Sequence, residues 1–250
     1  MITTVLFDMG GTLEDIWVDA ESEAAAIAEL ARMLKSFGLE TDMDNAALLA
    51  NVKEGWKRYG AYRDSCDVEL KPVEIWCDYI LSDFNFPREI LAPHCEEIAH
   101  MWEITYYHRN LRPRVAEMLD GLKGLGLKLG VISNTAALFQ VFDSLENYGI
   151  RDYFMDVTLS SVTGMRKPCG DIFTVSLREM QSNADECVYI GDTLSRDVIG
   201  SKRAGFAAAI QIGSKLTAMK DADIVHEFEP DIIIKDIYDV YPVVKQMIGA

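Results

Sequence analysis

The sequence predicts an α/β protein with a parallel-sheet core, interrupted directly after its first strand by a mostly helical insertion. Three observations carry this prediction. From about residue 112 onward, short apolar runs alternate with amphipathic helical stripes, the grammar of a parallel sheet covered on both faces. A run of the same kind, Ile2-Thr3-Thr4-Val5-Leu6-Phe7, opens the chain and ends abruptly in Asp8. Between the two, the stretch from about residue 15 to about residue 111 reads as almost entirely helical. The expected division is therefore a core of residues 1–14 and 112–250, with a helical unit of residues 15–111 inserted between its first two strands.

Taken in order, the first run is apolar enough for a strand buried on both faces. Gly10 and Gly11 then let the backbone turn sharply and bring amides close to a bound anion. Ile27, Leu30, Ala31, Leu34 and Phe37 recur at helical spacing until Gly38, and Leu48, Leu49, Val52, Trp56 and Tyr59 form a second stripe. Pro72 and Pro87 stand where first helical turns would open, predicting helices near 72–82 and 87–107. The pattern changes at Leu111-Arg112-Pro113. A helix over 114–125 precedes a buried strand, Lys128 to Ser133, ending in Asn134-Thr135. A helix from about Ala136 to Tyr148, a strand over 154–159 and a helix near 171–181 follow. Cys187 to Ile190 is a short strand running into Gly191-Asp192, and a helix over about 195–204 stops at Gly205. Strands near 207–212 and 231–234 and a helix near 237–248 end the series.

Composition narrows the function classes. A chain of 250 residues can bury a substantial core. With 24 Lys and Arg against 40 Asp and Glu, the formal charge of −16 disfavours nucleic acid and anionic membrane as partners. An anionic substrate must then be drawn in by local positive charge or a bound cation. The five cysteines form no CxxC pair, so zinc spacing is absent. No signal-peptide pattern and no membrane-spanning run is visible, which points to a cytoplasmic protein with reduced thiols. Oligomeric state leaves no mark on the sequence.

Four polar clusters fall at or just after predicted strand ends: Asp8-x-Gly-Gly-Thr12, Ser133-Asn134, Lys167-Pro168, and Gly191-Asp192 with Asp197 five residues on. In a parallel sheet all carboxyl ends lie along one edge, so residues distant in sequence meet there. Carboxylates, a hydroxyl, an amide and an ammonium together suit phosphoryl transfer, with carboxylates for Mg²⁺ and one carboxylate for attack.

These stretches resemble the haloacid-dehalogenase superfamily, in its phosphatase branch with a helical cap inserted after the first motif. The likeness is carried by Phe7-Asp8-Met9-Gly10-Gly11-Thr12-Leu13, Val131-Ile132-Ser133-Asn134, Gly164-Met165-Arg166-Lys167-Pro168 and Gly191-Asp192-Thr193-Leu194-Ser195-Arg196-Asp197. The resemblance implies a Rossmann-like core under a cap, and a Mg²⁺-dependent phosphohydrolase acting on a small phosphorylated metabolite. Asp8 would be the nucleophile, forming an aspartyl-phosphate. Asp8, the carbonyl of Gly10 and Asp192 would hold Mg²⁺. Thr12 and Ser133, with amides near Gly10, Gly11 and Asn134, would hold phosphoryl oxygens. Lys167 would offset negative charge, and Asp197 would orient Lys167 or water.

One position departs from the family pattern. Phosphatases of this kind usually carry a second Asp two residues after the nucleophile, as acid for the leaving group and base for water. Here that position is Gly10. The departure predicts slow turnover, a good leaving group, or a replacement carboxylate such as Glu14 or Asp15. It also keeps two alternatives open: a phosphate- or partner-binding protein with vestigial catalysis, and a phosphonate-cleaving relative using Lys53 or Lys57 as a Schiff base. Metal-free dehalogenation fits poorly with an intact Gly191-Asp192…Asp197. His94…His100 lacks zinc-pair spacing, Trp56, Trp76 and Trp102 read as core of the helical unit, and the Asp221/Asp223 and Glu227/Glu229 run reads as a solvated face. Selectivity is expected from the helical unit and a loop near Gly60–Lys71.

Overall fold

The computed structural model describes residues 1–214, 217, 221 and 227–249. Six strands form one sheet: β1 (Thr4–Phe7), β4 (Lys128–Ser133), β5 (Asp156–Leu159), β6 (Cys187–Gly191), β7 (Ala208–Ile212) and β8 (Ile232–Ile234), in the order β5-β4-β1-β6-β7-β8. Every neighbouring pair is parallel. The α/β class expected from the sequence is the one observed. β1 is central because it is apolar on both faces: Val5 and Phe7 pack into one layer and Leu6 into the other. Helices Val115–Gly124, Gln140–Asn147 and Val240–Met247 supply residues to the first layer, and Gly170–Glu179 supplies residues to the second. The strand order reverses between β1 and β6, so the crevice at their carboxyl ends is the natural ligand position.

Residues 18–107 lie outside this sheet and have an apolar cluster of their own, built on helices Ala20–Ser36, Asn45–Ser65 and Cys95–Thr105. Trp76 and Trp102 are buried there with ring centroids 5.8 Å apart, and Trp56 packs against both at 6.0 and 6.4 Å. One element of this region has no counterpart in the sequence reading. β2 (Glu14–Trp17) and β3 (His108–Leu111) pair antiparallel as a separate two-stranded ribbon, so both crossings between sheet and helical unit run side by side.

Other boundaries move for identifiable reasons. The helix expected from Ala136 begins at Gln140, because Glu96 of the helical unit accepts the Leu138 amide at 2.9 Å and Ala136 and Ala137 pack into the unit's own cluster. The helix expected over 72–82 is one helical turn at Pro72–Glu74 followed by a π-helix at Ile75–Ile80. The segment expected as one helix over 87–107 breaks into Arg88–Leu91, a 3₁₀ turn at Ala92–His94 around Pro93, and Cys95–Thr105. The loop expected near 60–71 is helical as far as Ser65, and its remainder docks on the core, where Glu69 N–H donates to Gly164 O at 3.0 Å.

Candidate active site

All four motif clusters arrive at one edge. The Asp8 N–H donates to Ile190 O at 2.8 Å, extending the ladder one residue past β1 and setting the carboxylate at the crevice. Beyond it the loop folds tightly: the Leu13 N–H donates to Met9 O at 2.9 Å and the Gly11 N–H to Glu14 O at 2.8 Å. Gly11 has φ of +94°, and a Cβ there would collide with the Asp192 carboxylate, so only glycine brings the β1 and β6 loops this close.

Lys167 organises the centre. Its Nζ lies 2.7 Å from Asp8 Oδ1, 2.7 Å from Asp197 Oδ1, 2.9 Å from the Tyr189 hydroxyl and 3.0 Å from Ile132 O. Burial alone would press its pKa down; Asp197 and Asp8 outweigh burial, and the net displacement is upward. Burial pushes Asp197 the other way, and Lys167 with the Thr193 hydroxyl and amide more than offsets it, so its carboxyl is held below the usual range. Asn134 fixes the lysine backbone from both sides, accepting from Lys167 N–H at 2.9 Å and donating to Lys167 O at 3.0 Å. Asp192 accepts from the Ser214 hydroxyl at 2.6 Å, and its own carbonyl accepts from Thr217 at 2.9 Å.

Carboxylate oxygens of Asp8, Asp192 and Asp197 all lie within 4.8 Å of one another. This is an all-oxygen donor set of the hard kind that Mg²⁺ takes. All three carboxylates also bond side chains: Lys167 holds Asp8 and Asp197, Thr193 holds Asp197, and Ser214 holds Asp192.

These groups open onto a cleft of about 520 Å³. The core lines it with Asp8, Gly10, Ser133, Asn134, Lys167 and Asp192; the helical unit faces them with Lys53, Trp56, Arg63, Trp102 and Glu103. Gly11 and Thr12 do not line it. The Gly11 amide is engaged by Glu14 O, and the Thr12 hydroxyl is buried without a partner among the described residues, so both serve the loop from behind the cleft wall.

Neither expected replacement carboxylate reaches into the cleft as a free group. Asp15 points away, with Oδ1 3.0 Å from Arg112 Nε. Glu14 is fully buried, paired with Arg109 and accepting from the Tyr148 hydroxyl at 2.8 Å. Lys53 does face the cleft but sits 2.6 Å from Glu23, whereas Lys57 is exposed beside Glu54. His94 stacks on Phe37 and His100 bonds Asp143, so they share no ligand. Asp221 is not a solvated carboxylate: it accepts from the Leu194 and Ser195 amides at 2.7 and 3.1 Å, capping the turn after Asp192. Glu227 pairs with Arg203, Glu229 is exposed, and Asp223 lies outside the described residues.

Several groups at the site carried no sequence signal. Tyr189 could have been suspected as the one polar-tipped residue in the Val188–Ile190 run, but Arg63, Glu103 and Arg109 come from segments whose local pattern says only helix or strand.

Fold and site together define a class: an α/β core with a strand-end aspartate, a buried lysine and an acidic pair under an inserted helical unit. The chain belongs to the haloacid dehalogenase-like hydrolase family, whose model matches residues 2–205. Over 254 residues it is 26% identical to the glyceraldehyde 3-phosphate phosphatase of Methanocaldococcus jannaschii, covering 99% of each chain. Its identity to the protein of the same name from Methanopyrus kandleri is 28% over 234 residues, covering 92% of this chain and 94% of that one. Among solved structures, the 2-haloacid dehalogenase of Pseudomonas syringae pv. Tomato superposes with a TM-score of 0.69 at 22% identity, over 99% of this chain and all of that one, a likeness of fold. Among the described residues no helix is long and apolar enough to cross a membrane.

Proposed function

We propose that this chain is a Mg²⁺-dependent phosphohydrolase of small phosphorylated metabolites, working through a phosphorylated Asp8. The observation that carries the reading is the Asp8 carboxylate itself, at a strand end, 2.7 Å from a buried Lys167 and within 4.8 Å of Asp192. The full-length relatives with phosphatase names support the same chemistry. A cleft of about 520 Å³ suits a small metabolite.

In this mechanism Asp8 attacks phosphorus, forming a P–O bond to its carboxylate while the bond to the leaving oxygen breaks. Lys167 and Ser133 hold charge on the transferring group, and Asn134 holds Lys167 in place. Asp8, Asp192 and the Gly10 carbonyl would hold Mg²⁺, which when bound would supply positive charge to neutralise the reacting anions. Water then cleaves the acyl phosphate, releasing inorganic phosphate and restoring Asp8. Tyr189 and Asp197 keep the ammonium aimed at Asp8.

The test is hydrolysis of p-nitrophenyl phosphate with and without Mg²⁺. Activity lost in EDTA and in Asp8→Asn, with an unchanged circular dichroism spectrum, is the expected result. Equal rates in EDTA and in Mg²⁺, or an active Asp8→Asn, would remove the mechanism. Complete inactivity of the unmodified protein would favour a phosphate-binding role.

A further inference from the structure

The cleft gathers cations in a chain whose formal charge is −16. Four of them are balanced: Lys53 by Glu23, Arg109 by Glu14 and Glu103, Lys167 by Asp8 and Asp197, Arg166 by Glu69. Arg63 and Arg196 also line the cleft, and among the described residues neither pairs with a carboxylate. Arg63 has its Nε buried with no hydrogen-bond partner among the described residues, an arrangement that costs stability unless something else satisfies it. Its guanidinium carbon lies 5.2 Å from the Tyr59 ring centroid, which fixes the side chain against the wall.

Arg63 and Arg196 are also close to Arg166. Burial first, then the repulsion of these two guanidinium groups, draws the Arg166 pKa below its ordinary value against the pull of Glu69. Arg166 and Arg196 each stand one residue before a group of the reaction centre, Lys167 and Asp197. Arg63 comes from the opposite wall, on helix Asn45–Ser65. Three guanidinium groups drawn together, with Glu69 paired to Arg166 and Glu103 near Arg63 but itself paired to Arg109, leave positive charge in the cleft for an anion to balance.

Resting on the phosphohydrolase reading above, we infer that Arg63 and Arg196, with Arg166 behind them, receive a second anionic group of the substrate, so that the physiological substrate is a small phosphate monoester carrying a carboxylate or a further phosphate. The transferring phosphoryl group sits at Asp8, and the second anion bridges the helical unit to the core. Guanidinium forks suit both carboxylate and phosphate.

The experiment uses matched pairs that differ in the second group alone: 3-phosphoglycerate against glycerol 3-phosphate, and ribulose 1,5-bisphosphate against ribulose 5-phosphate. With Mg²⁺, the member of at least one pair that carries the second anionic group is expected to have a kcat/KM about tenfold or more higher, as charge-assisted bonds allow. Preference confined to the first pair assigns a carboxylate; preference confined to the second assigns a phosphate. Arg63→Gln and Arg196→Gln should each bring that ratio toward one, mainly through KM, while Arg63→Lys keeps part of it. Ratios near one in both pairs, with p-nitrophenyl phosphate still hydrolysed, overturn the second-anion site and leave the phosphohydrolase reading standing. If nothing is hydrolysed, that reading falls, and binding of the same pairs to Asp8→Asn, followed by fluorescence of Trp56 and Trp102, still decides: equal affinity within both pairs overturns the inference.

Discussion

Glycine at position 10 leaves the loop after β1 without a carboxylate able to meet a leaving group. The structure shows what stands there instead. The Gly10 backbone is outside the left-handed region, so a side chain is not barred by backbone strain. A Cβ at this position would run into the Ile16 Cδ1 atom and lie 3.8 Å from Glu14 Oε1. Ile16 therefore fills the place of a shuttle, and Glu14 is tied behind it by Arg109 and Tyr148. Leaving groups that need a proton should suffer most: aryl phosphates are expected to turn over much faster than alkyl phosphates in the unmodified protein. Gly10→Asp combined with Ile16→Val, which makes room, should raise alkyl-phosphate kcat by about 10²-fold, the lower end of general acid–base effects. An alkyl-to-aryl ratio near one in the unmodified protein would show that another group already carries the proton. A second expectation concerns Asp192. Mg²⁺ at about a hundredfold excess over its Kd should stabilise the protein by about 2.7 kcal/mol, and thermal unfolding of Asp192→Asn should lose that shift. At this scale Asp8, Ser133-Asn134 and Asp192 were legible because each stands at the end of an apolar strand, and Lys167 because it opens a Lys-Pro pair shortly after one. The arginines of the cleft were not, because a cation on a helix face carries no local sign of what it will face.

The helical unit is fastened to the core by a short, largely buried polar cluster. Glu69 pairs with Arg166 and accepts from the Tyr59 and Ser160 hydroxyls, the latter at 2.8 Å. Backbone bonds flank it, with Arg166 N–H donating to Asp67 O at 2.9 Å. Both charged partners are buried, so deleting one leaves the other uncompensated. Glu69→Gln should lower stability by about 3–5 kcal/mol, read as a lower urea midpoint at unchanged m-value. A loss below 1 kcal/mol would mean that the cluster is solvated and does not fasten the unit. The sequence could be read for the inner strands β1, β4, β6 and β7, because an apolar run buried on both faces needs no partner to be recognised, and for β5 and β8 from their short apolar runs and spacing. It could not be read for the ribbon, since Glu14-Asp15-Ile16-Trp17 and His108-Arg109-Asn110-Leu111 are short, half-polar, and strands only by virtue of each other. The same holds for residues 135–139, whose helix start is displaced by a carboxylate more than forty residues earlier in the chain.

For the whole molecule, the placement of the two crossings decides how the cleft can open. β2 and β3 pair over Glu14–Trp17 and His108–Leu111, so the helical unit hangs from the core by one ribbon rather than by two separated linkers. Its apolar cluster is distinct from the two that cover the sheet, and a unit with its own core can turn as a body. Against turning stand Glu69 on Arg166, Lys71 on the Ser161 and Val162 carbonyls at 2.7 and 3.0 Å, His100 on Asp143 at 2.7 Å, Glu96 on the Leu138 amide, and Ala136 and Ala137 of the core packed into the unit's apolar cluster. We propose that residues 15–111 act as a cap that closes when an anion bridges Arg63 to the core, completing the charge balance across the cleft and excluding water. Mg²⁺ with 3-phosphoglycerate added to Asp8→Asn should then reduce the radius of gyration in X-ray scattering. The same additions should slow amide exchange in the loop after β1 and around residues 63–69. Arg63→Gln should bind with weaker closure, because the bridging charge is gone from the cap side alone. Identical scattering and exchange with and without ligand would place the unit in its closed position already, and would make the cluster around Glu69 a fixed joint rather than a latch.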